Sequence, residues 1–302
     1  MTAVRLGDNK YGKAEVRLVR VTRDTARHEI EDLNVTSQLR GARLEGSFLE
    51  GDNSLVVATD TQKNTVYAFA RDGVGSPEAF LLRLAEHFTG EFDWIEGGLW
   101  QAEQYSWERI VAGGAEHDHS FARTNRATRL AAVQVVDGET HVTAGLTDLT
   151  VLKSTGSEFH GFPRDRYTTL AETTDRILAT SVTARWRYLP EAVAAGIDYN
   201  AVYAEVEALL LDAFASTHSL ALQQTLWEMG KAVVEAVDAI AEIRFAMPNK
   251  HHFLVDLAPF GLDNPNEVFF AADRPYGLIE GTVVRDGVAE APNAWKDLPG
   301  FI

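Results

Sequence analysis

The chain has 302 residues, 45% of them hydrophobic and 24% charged, and contains no cysteine. That is the composition of a soluble globular protein with ample chain for a core and room for two domains, and it excludes disulfides, thiolate nucleophiles and cysteine-ligated metals. The formal net charge of -16, from 28 Lys+Arg against 44 Asp+Glu, repels DNA, RNA and anionic membranes, so neither a nucleic-acid nor a membrane partner is expected.

The opening MTAVRLGDNKYGK carries no apolar stretch, and no later run approaches the roughly 18 apolar residues of a membrane span, which points to the cytoplasm. The densest basic run, Arg17, Arg20, Arg23 and Arg27, is interrupted by Glu15 and Asp24. From Lys13 to Leu39 the pattern predicts two strands joined near Asp24 to Ala26. Leu33, Val35, Ser37 and Leu39 fall on one side of the second strand, the period of a half-buried strand. In the first strand Val16 and Leu18 share one side, while Val19 and Val21 share the other. A β-bulge, or a sheet buried on both faces, produces such a slip. Residues 41–54, with their three glycines and several charges, read as a loop. Ser76 before Pro77 predicts a capped helix start, continued at four-residue spacing by Phe80, Leu84 and Phe88. Phe92 to Ile110 reads as one long strand carrying Trp94, Trp100 and Trp107. Beyond the Gly113-Gly114 turn, a strand region ends in Leu130 to Val136, where Asp137-Gly138 marks a hairpin.

The second half repeats this plan. His141 to Leu152 reads as a strand, and a helical piece is expected near Tyr167 to Leu178. Val182, Ala184, Trp186 and Tyr188 alternate with Thr183, Arg185 and Arg187, as in a strand with one wet face. Two long helices follow, one marked by Val202, Val206, Leu209, Ala213 and Thr217, the other by Leu222, Leu226, Met229 and Val233. Ile243, Phe245 and Met247, then Phe253, Val255 and Leu257, restore the two-residue period, and Tyr276 to Val284 supplies a last strand. The halves divide the chain into domains 1–138 and 139–302. Each reads strand-strand, helices, strand-strand, an α+β design with helices gathered on one face of antiparallel sheets. No Gly-rich turn joins an early strand to a helix, which disfavours dinucleotide and P-loop folds.

Two polar stretches interrupt well-patterned elements. Ala58 to Thr65, ATDTQKNT, reads either as a strand end followed by a helix cap or as a site. Pro248-Asn249-Lys250-His251-His252 reads either as a wet turn or as a loop held by rigid strands. His117, His119 and the pair His251-His252 leave a zinc or iron site open, if a third ligand such as Glu116, Asp118 or Glu267 converges on them. There is no HExxH and no GxSxG, which removes the simplest metalloprotease and esterase readings. On spacing alone, Phe159 is a core residue and Arg176 a solvated helix charge.

Longer segments carry more. YGKAEVR at 11–17, ATDTQKNT at 58–65, LTVLKSTGSEFHGFPRDRYTTL at 149–170 and ETTDRILAT at 172–180 closely resemble the urate oxidase (uricase) family. So do LQQTLWEMG at 222–230, MPNKHHFLVDL at 247–257 and NPNEVFFAADRPYGLIE at 264–280. The resemblance implies the tunnelling fold, or T-fold, repeated twice per chain as ββααββ units that close into barrels on oligomerisation. It also implies a homotetramer whose active sites lie at subunit interfaces, where closure between chains satisfies strand edges.

The same resemblance implies the chemistry. The substrates would be urate and O2, with O2 as co-substrate and no metal, flavin or other cofactor. Arg176 would offer parallel N–H donors to the purine rim and Gln223 would donate and accept there, with Phe159 stacked on the ring. Leu222 stands where related enzymes usually have valine, and its backbone N–H would face the ligand, as would that of Asp60. Lys13, Thr59 and His251 would form the proton relay, and Asn249 would hold oxygen or the attacking water. A lysine acts as a base only where burial or neighbours bring its pKa well below about 10.4. The competing readings are pterin or GTP chemistry on the same scaffold and a non-catalytic purine-binding protein. The ending Leu298-Pro299-Gly300-Phe301-Ile302 differs from the Ser-Lys-Leu type of peroxisomal address, so a bacterial cytoplasmic setting is expected.

Overall fold

The computed structural model describes residues 3–124, 126–272 and 274–298. The described residues form two compact units, 3–145 with Arg187–Asn200 and Ala289–Leu298, and Leu146–Trp186 with Ala201–Val288. The first unit opens with strands β1 (Tyr11–Thr22) and β2 (Glu29–Arg40), then helices α1 (Glu45–Leu49), α2 (Thr59–Arg71) and α3 (Pro77–Glu91). Strands β3 (Gly97–Tyr105), β4 (Trp107–Ala112), β5 (Ala115–Arg123) and β6 (Thr128–Val136) follow. Next come β7 (Glu139–Lys153), β8 (Leu178–Tyr188), α4 (Pro190–Ala194), α5 (Tyr199–Ser216) and α6 (Leu222–Ala236). The chain continues through β9 (Ile240–Asn249), β10 (His252–Leu254), β11 (Phe269–Ala271) and β12 (Gly277–Val284). The fold is α+β, with the ββααββ plan of the T-fold in each half.

In the first unit the strands run β1-β2-β3-β6 in an antiparallel sheet. Helix α2 packs on β1 and β2, and α3 on β3 and β6. The core is built from the period-two face of β2 (Leu33, Val35, Leu39) and the helical stripe Phe80, Leu84 and Phe88. Phe88 stacks on Trp100 of β3 at 6.4 Å, an arrangement that adds to the area both rings bury. Ser76 caps α3 by accepting from the N–H of Ala79, with Pro77 in the first turn. Asp137 and Gly138 take φ of 53° and 79°, the left-handed pair a tight hairpin requires.

In the second unit the order is β7-β8-β9-β12, with α6 packed on β9 and β12. Gly230 allows that approach, because a Cβ there would lie 2.5 Å from Val283 Cγ2. β10 and β11 form a separate antiparallel ribbon.

Five expectations are corrected. Residues 41–54 are not all loop, since a 3-10 turn at Ala42–Leu44 runs into α1. Phe92 to Ile110 is not one strand. Trp94 precedes β3 and donates to the carbonyl of Leu55 at 2.7 Å, and the chain breaks at Ser106, so that β4 pairs with β5 instead. Among the described residues no helix forms between Tyr167 and Leu178. There threonine and aspartate side chains satisfy the local backbone: Thr173 donates to the carbonyl of Asp175 at 2.6 Å, and Thr168 accepts from the N–H of Asp165 at 2.9 Å. Such bonds compete with the helix ladder. Arg187 is not on a wet face but 4% exposed, donating to the carbonyl of Ala289 at 3.1 Å. The period-two run from Phe253 to Leu257 also yields only the short β10.

The deepest charge pair of the first unit joins α3 to β6. Arg129 Nη2 meets Glu78 Oε2 at 2.7 Å, with side-chain exposures of 7% and 0%. Arg129 also donates to Asn200 Oδ1 at 2.7 Å. Burial pushes the Glu78 carboxyl up despite the guanidinium beside it. Removing one member strands the other, so Glu78→Leu is expected to cost about 3–5 kcal/mol. The double variant Glu78→Leu, Arg129→Met should recover much of that loss, as read from chemical-denaturation midpoints. A double variant as unstable as the sum of the singles would contradict this account.

Candidate active site

The sequence-predicted residues fall into two groups, one in each unit. In the first, Lys13 sits on β1 opposite Ser37 of β2, and the register slips between Lys13 and Val16. The bulge lies before Val16, and pairing is regular from Val16 to Thr22, so it does not cause the change of side after Leu18; Val16 and Leu18 are buried and Val19 is exposed. Within the bulge Glu15 takes the left-handed φ of 55°, and its N–H turns to Thr36 Oγ1 at 3.2 Å. A bulge re-aims the side chains beside it. Gly12 permits close pairing at this point, because a Cβ would lie 1.8 Å from the carbonyl oxygen of Ser37.

Thr59 and Asp60 form the first turn of α2, whose N-cap Ala58 provides no side-chain cap. The first helical bond is made by the N–H of Gln62 to the carbonyl of Ala58 at 3.1 Å. The N–H groups before it point outward beyond the helix end, where an anionic or carbonyl acceptor is favoured. Two ties hold this turn against the bulged strand. Tyr11 OH donates to the carbonyl of Val57 at 3.2 Å. The fully buried Gln62 accepts from Ser37 Oγ at 3.0 Å and donates to the carbonyl of Val57 at 3.4 Å. The strand partner of Lys13 thus also anchors the helix that begins with Thr59. The Asp60 carboxylate accepts from Lys63 Nζ at 2.5 Å and Asn64 Nδ2 at 3.0 Å. The Lys63 bond foremost, with a smaller contribution from the Lys13 charge, holds Asp60 below the usual carboxylate range. Its side chain is committed to its own helix, which leaves the backbone N–H as the group it offers a ligand.

In the second unit Phe159, Arg176, Asn249 and His251 line one cavity of about 370 Å³, together with Ser154, Thr173, Asp175, Ile177 and His252 among others. Phe159 is fixed by a two-way backbone bridge with Thr173, at 2.8 and 3.0 Å. The Arg176 guanidinium carbon lies 5.2 Å from the centre of the Phe159 ring, within reach of a cation–π attraction. Arg176 is not on a helix. Its N–H donates to the carbonyl of Ser157 at 2.9 Å and its Nε to Ser157 Oγ at 3.3 Å. Burial draws its pKa down, yet the guanidinium stays charged at any physiological pH.

Ser157 also bridges Ser219, and both are fully buried. Ser219 Oγ accepts from Thr225 Oγ1 at 2.8 Å and donates to the carbonyl of Ala221 at 3.1 Å. The backbone bridge together with the Ser219–Thr225 hydroxyl pair joins the Arg176 segment to the first turn of α6, where Leu222 is buried and Gln223 exposed. Leu222 and Gln223 do not line the 370 Å³ cavity itself. The N-cap Ala221 has no side-chain cap, so the first N–H groups of α6, like those of α2, lack helical partners. Asn249 ends β9 opposite Gly277, and the next N–H, of Lys250, donates to the carbonyl of Ala179 at 2.8 Å. That bond pins the PNKH turn to β8. Gln62, Ser157, Ser219 and Thr225 were not singled out from the sequence, and Ser37 was marked there only as one position on the buried side of β2. The only signal of the first four is membership of, or adjacency to, the family-like segments.

Burial first, then the Arg176 charge and His252, push the His251 imidazole below its ordinary value. Among the described residues no group of three or more His, Cys, Asp or Glu side chains is arranged to hold a metal ion. His117 and His119 meet edge-on at 4.5 Å. Among the described residues no helix is long and apolar enough to cross a membrane.

The chain matches the family model described as Uricase over residues 9–134 and 142–280. A uricase of Arthrobacter globiformis is 63% identical over 300 residues, covering 99% of this chain and 96% of that protein. A uricase of Dictyostelium discoideum is 38% identical over 281 residues, covering 92% and 96% respectively. The crystal structure of uricase from Arthrobacter globiformis superimposes with a TM-score of 0.91 at 64% identity, covering 96% of this chain and 99% of that one.

The environment of His251 sets a pH test. A histidine pKa held below its unfolded value favours the neutral ring, so the stability it contributes is present above about pH 6.5 and lost as pH falls through the folded value. An NMR titration of His251 should therefore show a midpoint below that of a free imidazole. Arg176→Gln should move the midpoint upward. An unmoved midpoint in that variant removes Arg176 as a cause.

Proposed function

This chain belongs to the uricase family, and we propose that its urate site is made of the two residue groups above, with Lys13, Thr59 and His251 as the proton relay. The enzyme is a cofactor-independent oxidoreductase. It converts urate, O2 and water to 5-hydroxyisourate and H2O2, the first step of urate degradation in purine catabolism. The observation that carries the site assignment is the cavity shared by Phe159, Arg176, Asn249 and His251.

Urate is flat, conjugated and anionic, with carbonyls and ring nitrogens around its rim. Phe159 stacks on its face while Arg176 donates two parallel N–H bonds to a carbonyl and a ring nitrogen. Gln223 donates and accepts on the rim, and the backbone N–H groups of Leu222 and Asp60 complete the binding contacts. Support for those two N–H groups comes from the uncapped first turns of α2 and α6. Lys13 draws a proton through the Thr59 hydroxyl, and His251 holds Lys13 or a water in the right state. The purine dianion then passes two electrons to O2 through a peroxide adduct at C5. Loss of H2O2 leaves an oxidised ring to which water, held with oxygen by Asn249, adds. The protein contributes orientation, proton transfer and a preorganised polar site rather than electron storage.

Residues 1–138 and 139–302 are the two tandem T-fold domains in this reading. Four chains assemble in the cytoplasm, and each active site takes its relay threonine from one subunit and its arginine and glutamine from the next. Support comes from the β10–β11 ribbon, where Phe253, Leu254 and Phe270 are 50%, 48% and 61% exposed. Soluble monomers seldom leave such patches in water, and pairing between chains covers strand edges.

Lys13→Met should bind a non-oxidisable urate analogue with unchanged Kd while kcat, followed by urate absorbance and peroxide release, falls about 10²–10⁴-fold. Normal turnover in that variant refutes the relay. Size-exclusion chromatography with light scattering should give four times the 33.3 kDa chain mass. A monomer with full activity would refute the interface site.

A further inference from the structure

The segment leading into Phe159 is held by more than the buried serine. The N–H of Glu158 donates to the carbonyl of Ser219 at 2.7 Å. Its carboxylate accepts from two imidazoles, His218 Nε2 at 2.5 Å and His160 Nε2 at 2.8 Å. Lys153 adds a tie, donating from Nζ to the carbonyl of Thr217 at 2.5 Å. The turn between α5 and α6 is thereby fastened, residue after residue, to the chain that ends in Phe159. Bonds from His218 and then His160 hold the Glu158 carboxyl below the usual carboxylate range, in the form that accepts from both rings.

Stability does not explain this convergence. The two histidine side chains are 48% and 58% exposed, and ion pairs in such positions contribute little to folding. Geometry does. His160 lies just after the aromatic platform, and His218 lies in the turn that delivers Leu222 and Gln223. Phe159 lines the cavity and Glu158 does not, so Glu158 acts through its neighbours.

We propose that Glu158 is a positioning residue for urate, its carboxylate clamped between His160 and His218 so as to set Phe159 against the end of α6 that carries Gln223. The proposal rests on the reading of Phe159 and Gln223 as substrate contacts. Stacking and rim contacts are made in ground state and transition state alike, so loosening them raises KM and leaves kcat in place. The relay residues Lys13 and Thr59 are untouched.

The test compares Glu158→Ala, Glu158→Gln and Phe159→Leu in the assembled enzyme. Glu158→Ala should raise both KM for urate and Kd for a non-oxidisable urate analogue about tenfold, with kcat within about twofold. Glu158→Gln should restore most of the affinity. Its carbonyl still accepts from one imidazole, and its amide donates to the lone pair of the other in the alternative tautomer. Unchanged KM in Glu158→Ala, or a fall in kcat with KM constant, overturns the proposal, as does a Glu158→Gln variant no better than Glu158→Ala. Phe159→Leu separates the two levels. If it raises KM while Glu158→Ala does not, the substrate reading stands and the positioning role fails. If it leaves KM unaltered, the substrate reading fails and the positioning role falls with it.

Discussion

The contact between Ser157 and Ser219 is the point on which the second unit's site depends. Both residues are fully buried, and they belong to chain segments far apart in sequence. A buried hydroxyl without partners is costly. Here each finds them: Ser157 accepts from Arg176 Nε, and Ser219 accepts from Thr225 while donating to Ala221. The backbone bridge between the two serines, made by the N–H of Glu158 to the carbonyl of Ser219 and the N–H of Ser219 to the carbonyl of Gly156, brings the arginine-bearing segment up to the start of α6, with each hydroxyl satisfied on its own side. A methyl group at Ser157 would remove the acceptor of Arg176 Nε, and one at Ser219 would leave the buried Thr225 hydroxyl with only its longer bond to the carbonyl of Ala221. Precision is thus obtained from the penalty for breaking a buried network rather than from the strength of any one bond.

The first unit solves the same problem with a side-chain amide. Gln62 faces inward from α2 and spans Ser37 and the carbonyl of Val57, which fixes the helix start relative to the strand opposite Lys13. The bulge between Lys13 and Val16 would by itself give β1 local freedom. The clamp on Ser37 and the glycine at position 12 remove it, because only one depth of approach satisfies both. In both units part of the proposed site stands on the ends of regular elements, with Thr59 opening α2, Gln223 in the first turn of α6 and Asn249 closing β9, while buried polar pairs set their spacing. Rigid elements define position better than loops do.

Much of this was visible in the chain itself, for reasons that are local. Ser76-Pro77 and Asp137-Gly138 act within four residues, and the period-two set Leu33, Val35 and Leu39 is the buried face of β2. What stayed hidden was long-range. Nothing about an isolated serine says whether it is solvated or bonded to another serine in a different segment. The error at Tyr167–Leu178 has a similar root. Apolar spacing there suggested a helix, but threonine and aspartate side chains satisfied the backbone first, and the resulting irregular path is what turns Arg176 toward Phe159. A regular helix would have carried the arginine to solvent. The roles of single residues came from likeness to a family, and periodicity alone assigned Phe159 to the core.

The net charge of -16 opposes an anionic substrate at long range, and distance resolves the opposition. At physiological ionic strength exposed charges are screened over about 8 Å, so carboxylates elsewhere on the surface act weakly in the cavity. Within it, the charge that counts is Arg176, partly withdrawn from water and paired in the described contacts with a serine hydroxyl and an aromatic face rather than a carboxylate. A guanidinium so placed retains donors for a ligand, and the lower local dielectric strengthens what they bind. Burial first, and then the same arginine, push the neighbouring His251 imidazole below its ordinary value. In the proposed site one cation thus serves twice, as the partner of the anionic substrate and as a charge that disfavours protonation of the imidazole beside it.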